Sequence, residues 1–301
     1  MNSIVLICFN RPEKLTKTLA ALAKVRNIKS YNLVIVQQIG SSASCTKVTA
    51  LINTIDWIKI THITTQYQAS DSIQKKVNTN TYKGLSYAFE TLHSNRVVLI
   101  EEDILLGYDA LDFVENMMDK YSGNPLFRAV ELFSIEPKSS HNLYTYSKCR
   151  FGITNGWAIN KNCWFNYIKK SWVNSDKRFY DSIVETYFKT GFLVVPHASR
   201  ALDIGWGENA LNCSLKQSEI QRKNKMSWVG SDPLELKKYQ ISQTMQQFVR
   251  SDFVLYKWYS PLTYAIFRLI RKTMLLLLKK EIDSTLPNYL IGSFVNCIKK
   301  K

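Results

Sequence analysis

The chain has 301 residues, 46% of them hydrophobic, which supplies a large core and excludes a globally disordered protein. Forty Lys and Arg against 24 Asp and Glu leave a formal charge of +16, so an anionic partner is expected: nucleic acid, a phosphorylated substrate or an acidic membrane surface. Cys8, Cys45, Cys149, Cys163, Cys213 and Cys297 stand singly, without zinc-type pairing, and read as reduced residues of a cytosolic protein.

The first apolar run, residues 3–9, predicts a buried strand that ends in Asn10-Arg11-Pro12. It lacks a basic flank and is too short for a signal peptide. Leu15, Leu19 and Leu22 then share a helical face over 12–25, with Pro12 suited to the first turn. Residues 31–37 predict a second strand, closed by Gly40-Ser41-Ser42. A helix near 45–55, a strand at 58–63 and a helix over 80–94 follow. Strand and helix alternate, and the strands are apolar throughout. The expected fold is therefore α/β, a mostly parallel sheet flanked by helices, with ligands bound beyond the carboxyl ends of its strands.

Residues 97–103, Val-Val-Leu-Ile-Glu-Glu-Asp, carry the strongest chemical signal. Four apolar residues read as a buried strand, and three consecutive carboxylates end it. Adjacent carboxylates repel and resist burial, so they suit either a solvated loop or a divalent cation that also carries phosphates. Arg11 and the Gln37-Gln38 turn are expected at the same sheet edge, which favours the binding reading.

Further along, Asn155-Gly156-Trp157 allows close approach to a flat ligand such as a sugar ring, although a buried Trp beside a Gly bulge has the same pattern. Asp181, in Lys-Arg-Phe-Tyr-Asp ahead of a predicted helix at 182–190, suits a general base or a helix N-cap. Asp203-Ile204-Gly205-Trp206-Gly207 has the composition of a loop that closes over a ligand. The four histidines show no zinc spacing. Arg268, Arg271, Lys272 and Lys279 recur beside an apolar face in 261–280, a basic amphipathic helix suited to an anionic bilayer surface or to ordinary packing on the core. No membrane-spanning segment is predicted.

Taken in order, these segments resemble the GT-A fold glycosyltransferases, most closely N-acetylglucosaminyltransferase I and related bacterial sugar transferases of surface-polysaccharide synthesis. The similarity covers residues 3–215 and rests on Asn10-Arg11-Pro12, Glu101-Glu102-Asp103, Asn155-Gly156-Trp157, Phe179-Tyr180-Asp181 and the stretch from Ser199-Arg200 to Ile204-Gly205. The resemblance implies a catalytic domain over 1–215 and a helical C-terminal region over 216–301. It implies Asp103 as the contact to Mn²⁺ or Mg²⁺, with Glu101 and Glu102 lining the nucleotide-sugar pocket. Arg11 would meet the nucleotide, Trp157 would floor the sugar site, and Asp181 would be the catalytic base of an inverting transfer.

Gln38 stands where the relative has an aspartate on the uracil. An amide can pair with uracil and with other bases, so a UDP-sugar is the expected donor but not one the position dictates. The implied acceptor is a glycan or lipid-linked glycan of a bacterial surface polysaccharide or lipopolysaccharide. The expected location is cytoplasmic, peripheral on the inner face of the plasma membrane. A sugar-phosphate nucleotidyltransferase is the alternative enzyme, but the first turn lacks its glycine-rich loop. A nucleic-acid-binding protein fits the charge, but no recognition motif accompanies it.

Overall fold

The computed structural model describes residues 1–134, 143–149, 155–172, 184, 187–188, 190–205 and 228–241. The chain divides into two units, Met1–Gln246 and Gln247–Lys301, and the second lies outside the described residues, as do Asp181, most of the predicted 182–190 helix and the predicted 261–280 helix.

The strands are β1 (Asn2–Cys8), β2 (Tyr31–Gln38), β3 (Ile60–Thr65), β4 (Arg96–Glu101), β5 (Ile104–Leu106), β6 (Phe127–Glu131), β7 (Thr145–Cys149), β8 (Trp157–Asn160), β9 (Phe192–Pro196), β10 (Ala201–Asp203) and β11 (Gln240–Ile241). Nine form one sheet in the order β11-β7-β9-β6-β8-β4-β1-β2-β3, and β5 pairs with β10 in a separate antiparallel ribbon. Strands β1, β2, β3, β4, β6 and β9 point one way, while β8, β7 and β11 point the other. The sheet is thus mixed α/β and mostly parallel, with β8 inserted antiparallel at its centre.

Both faces are covered, which explains the unbroken apolar strands. Ile4, Leu6, Leu33 and Ile35 pack under α1 (Pro12–Ala23), α2 (Ala43–Asn53) and α4 (Ala110–Tyr121). Val5, Ile7, Val34 and Val36 face α3 (Ile73–Ser86) and the segment from α5 (Lys161–Cys163) to α6 (Lys169–Ser171). Gly84 lets α3 sit directly on the sheet, since a Cβ there would collide with Val5 and lie 3.1 Å from Val36.

The elements follow local chemistry, with instructive differences. Pro12 opens α1 as expected, and Ser42 caps α2 by accepting the Cys45 N–H at 3.3 Å. Helix α3 begins seven residues before the predicted residue 80, because Ser72 accepts the Lys75 N–H at 3.1 Å and starts a turn that hydrophobic periodicity does not mark. Strand β4 stops at Glu101, leaving Glu102 and Asp103 in the turn into β5. Residues 228–241, grouped by sequence with the C-terminal region, belong to the first unit: β11 pairs with β7, and Tyr239 is buried in the core. Among the described residues no helix is long and apolar enough to cross a membrane.

Candidate active site

The parallel register of β1 and β4 brings Ile7 level with Glu101, so the first β–α turn and the acidic turn meet at one sheet edge. Glu102 is buried and structural. Its carboxylate accepts the Phe9 N–H at 2.8 Å and the Arg11 Nε–H at 2.7 Å, and its carbonyl accepts the Thr18 hydroxyl at 2.8 Å. Arg11 also reaches Asp103, Nη1 to Oδ2 at 2.7 Å. Burial opposes the Arg11 charge, but Asp103 and Glu102 outweigh it and raise its pKa. Glu101 is half-buried beside them.

The other wall comes from β10. The antiparallel ribbon sets Asp203 opposite Ile104, and the Ile204 N–H donates to the Asp103 carbonyl at 2.9 Å. Asp203 accepts the Gly205 N–H at 2.6 Å and the Asn155 amide at 3.0 Å. Burial raises the Asp203 pKa, the Gly205 amide lowers it, and the Asp103 charge raises it again. Lys14, from the first turn of α1, donates to the Ile204 carbonyl, and burial lowers its pKa.

Gly205 is the pivot of this corner. A Cβ there would collide with Asp103 Oδ2, lie 2.9 Å from Asp103 Cγ and sit 3.0 Å from Asp203 Oδ1. Two carboxylates therefore converge on one small volume. A pair of hard oxygen ligands fits Mg²⁺ or Mn²⁺, which take one or two carboxylates and leave other positions to phosphate and water. Among the described residues no group of three His, Cys, Asp or Glu converges on a metal position.

Arg11, Glu102 and Asp103 are thus brought together as the sequence suggested, with Glu101 beside them, but Glu102 turns inward and spends both oxygens on the β1–α1 turn. Gln38 ends β2 half-buried, while Gln37 is tied to the Cys45 carbonyl, Thr49 and His62 at 2.9–3.1 Å. A cavity of about 300 Å³ beside this turn, lined by Ile39, Gly40, Cys45, Thr46, Thr49, Ala50 and Asn53, contains no charged side chain and no residue of the acidic corner. Trp157, expected at the sugar-site floor, is buried in the core. It is 0% exposed and meets Phe188 edge-on at 5.7 Å, because β8 lies mid-sheet with both faces covered. Asp203 and Lys14 are the residues that sequence reasoning did not assign. The signal for Asp203 was its place ahead of Gly205 in the loop-like motif.

No family model and no curated protein sequence matches the chain. Among solved structures it is similar to S. aureus TarS 1-349 in complex with UDP, at 12% identity and TM-score 0.46, over 67% of this chain and 59% of that one. It is also similar to the mannosyltransferase PcManGT from Pyrobaculum calidifontis in complex with GDP-Man and Mn²⁺, at 12% identity and TM-score 0.44, over 66% of this chain and 57% of that one. The chain therefore spans less than two thirds of either. The chemical assignment rests on the corner itself.

Proposed function

We propose that the chain is a nucleotide-sugar-dependent glycosyltransferase that seats the donor diphosphate over the carboxyl ends of β1 and β4. The observation that carries this reading is the convergence of Arg11 and Lys14 with Asp103 and Asp203 at one sheet edge. Glu102 and Asp103 engage the Arg11 Nε and Nη1, so Nη2 is the donor through which the guanidinium would meet a diphosphate oxygen. Asp103, with Asp203 alongside, would hold Mn²⁺ or Mg²⁺. A bound ion supplies neutralisation of the charge that grows on the departing diphosphate. Gln38 stands at the end of β2 to pair with the base, uracil first.

Asp181 is the proposed general base. It takes the acceptor proton as that oxygen attacks the anomeric carbon and the nucleotide leaves from the opposite face, which inverts configuration. The acceptor is a glycan hydroxyl of a bacterial surface polysaccharide or lipopolysaccharide, lipid-linked at the inner membrane face, where the basic 261–280 segment suits an anionic bilayer.

The test is a thermal-shift series with UDP, GDP and their sugar conjugates, with and without Mn²⁺. A ligand at 100 times its Kd stabilises by about 2.7 kcal/mol, and the shift should shrink in Arg11→Ala. A panel in which no nucleotide raises the Tm would sink the donor reading.

A further inference from the structure

Arg11 reaches Asp103 through Nη1 at 2.7 Å, and Asp103 is the residue assigned above to a divalent cation. A guanidinium and a divalent ion are competing cations for one carboxylate. Their competition decides how the corner treats each ligand when it arrives alone.

The guanidinium is held from two sides. Glu102 takes its Nε–H at 2.7 Å and is itself fixed: its other oxygen accepts the Phe9 N–H at 2.8 Å, and its carbonyl accepts the Thr18 hydroxyl at 2.8 Å. Asp103 takes Nη1, so while that pair lasts the fork cannot turn both Nη1 and Nη2 onto a diphosphate. The second carboxylate is engaged too. Asp203 accepts the Gly205 N–H on Oδ1 at 2.6 Å and the Asn155 amide on Oδ2 at 3.0 Å.

The charges around the corner point the same way. Lys14 donates to the Ile204 carbonyl beside Asp203. Burial lowers the Lys14 pKa, Asp103 raises it, and Lys17 and Arg11 lower it again, so positive charge already crowds this edge. A positive charge in contact with a carboxylate weakens its hold on a divalent ion, and most where the site is partly desolvated. A diphosphate reverses the balance, because it gives the guanidinium new acceptors and leaves Asp103 to the ion.

We propose that Arg11 is the resident counter-cation of Asp103: it keeps the affinity for a divalent cation low until a diphosphate draws Nη1 away, so that cation and diphosphate are taken up as a pair. Glu102 is the pivot, keeping Nε while Nη1 passes from Asp103 to a phosphate oxygen beside Nη2. The grip on the diphosphate then becomes bidentate. This role rests on the donor-site reading and adds a sign to it. Arg11 favours the nucleotide and opposes the lone cation, and by linkage each ligand strengthens the other equally.

The experiment is a titration of the full chain with Mn²⁺ alone, read from the paramagnetic resonance signal of the free ion near neutral pH. UDP and GDP are then titrated at saturating MnCl₂. Wild type is compared with Arg11→Ala, Arg11→Gln and Lys14→Ala, with Asp103→Asn as the reference that should lose the Mn²⁺ site. In both Arg11 variants the Kd for Mn²⁺ alone should fall about tenfold, while the Kd for nucleotide rises by as much or more. Lys14→Ala, whose ammonium rests on a backbone carbonyl, should tighten Mn²⁺ less. Arg11→Gln retains an amide donor for Glu102 and carries the test if Arg11→Ala does not fold.

Mn²⁺ affinity that is unchanged or weaker in the Arg11 variants overturns the proposal. An equal gain in Lys14→Ala also overturns it, since net charge would then account for the effect. Nucleotide binding with Mn²⁺ affinity unmoved keeps the donor reading and removes this role of Arg11. Tighter Mn²⁺ binding in both Arg11 variants, with no nucleotide bound by any protein, supports Arg11 as the counter-cation and removes the donor reading.

Discussion

Two arginines of this protein grip carboxylates to opposite ends. Arg200 holds Asp109 through Nη2 at 2.9 Å and Nε at 3.3 Å, with both side chains 0% exposed. Its other donors go to the Ala198 and Leu143 carbonyls, Tyr239 donates to the same Asp109 oxygen at 2.7 Å, and the rings of Phe113 and Tyr239 lie 5.3 and 5.5 Å away. Arg11 holds Glu102 and Asp103 at 2.7 Å, but its side chain is 26% exposed. The difference lies in what is left over. Arg200 has spent its donors inside the protein and staples the 228–241 segment to α4. Arg11 keeps donors at the surface, in a corner whose charges a ligand can rearrange.

This contrast predicts a graded series. Asp109→Ala leaves a buried guanidinium without its carboxylate and should cost about 3–5 kcal/mol in urea unfolding, and an apolar replacement of both partners should recover much of that. A double variant as unstable as the single would show that the staple is more than charge compensation. Arg11→Ala deprives Glu102 of one partner near the surface and should cost about 1–3 kcal/mol. Its larger effect should be on UDP or GDP affinity, falling at least tenfold by titration calorimetry. Loss of stability without loss of nucleotide affinity would make Arg11 a second staple.

Glu131, buried at the end of β6, gives the pH arm. Its folded pKa lies above its unfolded value near 4.5, so the stabilisation from its neutral form is full below that pH and is lost as pH rises toward the folded value. Glu131→Gln should therefore match wild type near pH 4 and gain Tm over it progressively above pH 5, by a few degrees, roughly 2–4 °C for each 1 kcal/mol. A Tm difference that does not change with pH would contradict the buried neutral carboxyl. Asp181→Asn should have the smallest effect on stability, within about 0.5 kcal/mol. Donor binding should survive, while turnover falls ~10²–10⁴-fold as for loss of a general base. Turnover at the wild-type rate would remove Asp181 from the chemistry.

The local half of this picture was legible in the chain. The strand 97–103, its acidic end, the turn at Arg11 and Pro12, and the helix behind it are properties of short segments, where apolar period and charge are written residue by residue. The rest depended on encounters across the fold. Asp109 lies 91 residues from Arg200 and 130 from Tyr239, and nothing near any of them announces the others. Glu131 occupies what reads as an ordinary position in Phe-Arg-Ala-Val-Glu, and Trp157 reads equally well as a ligand platform or a core residue.

The sequence by itself determined where the strands end and which carboxylates stand there, because hydrophobic burial and charge repulsion act along the chain. Only the tertiary structure decided what each of those carboxylates meets. Glu102 is consumed by the Phe9 amide and Arg11, whereas Asp103 meets Asp203 over Gly205, because the β5–β10 ribbon carries a segment 100 residues distant back to the same edge.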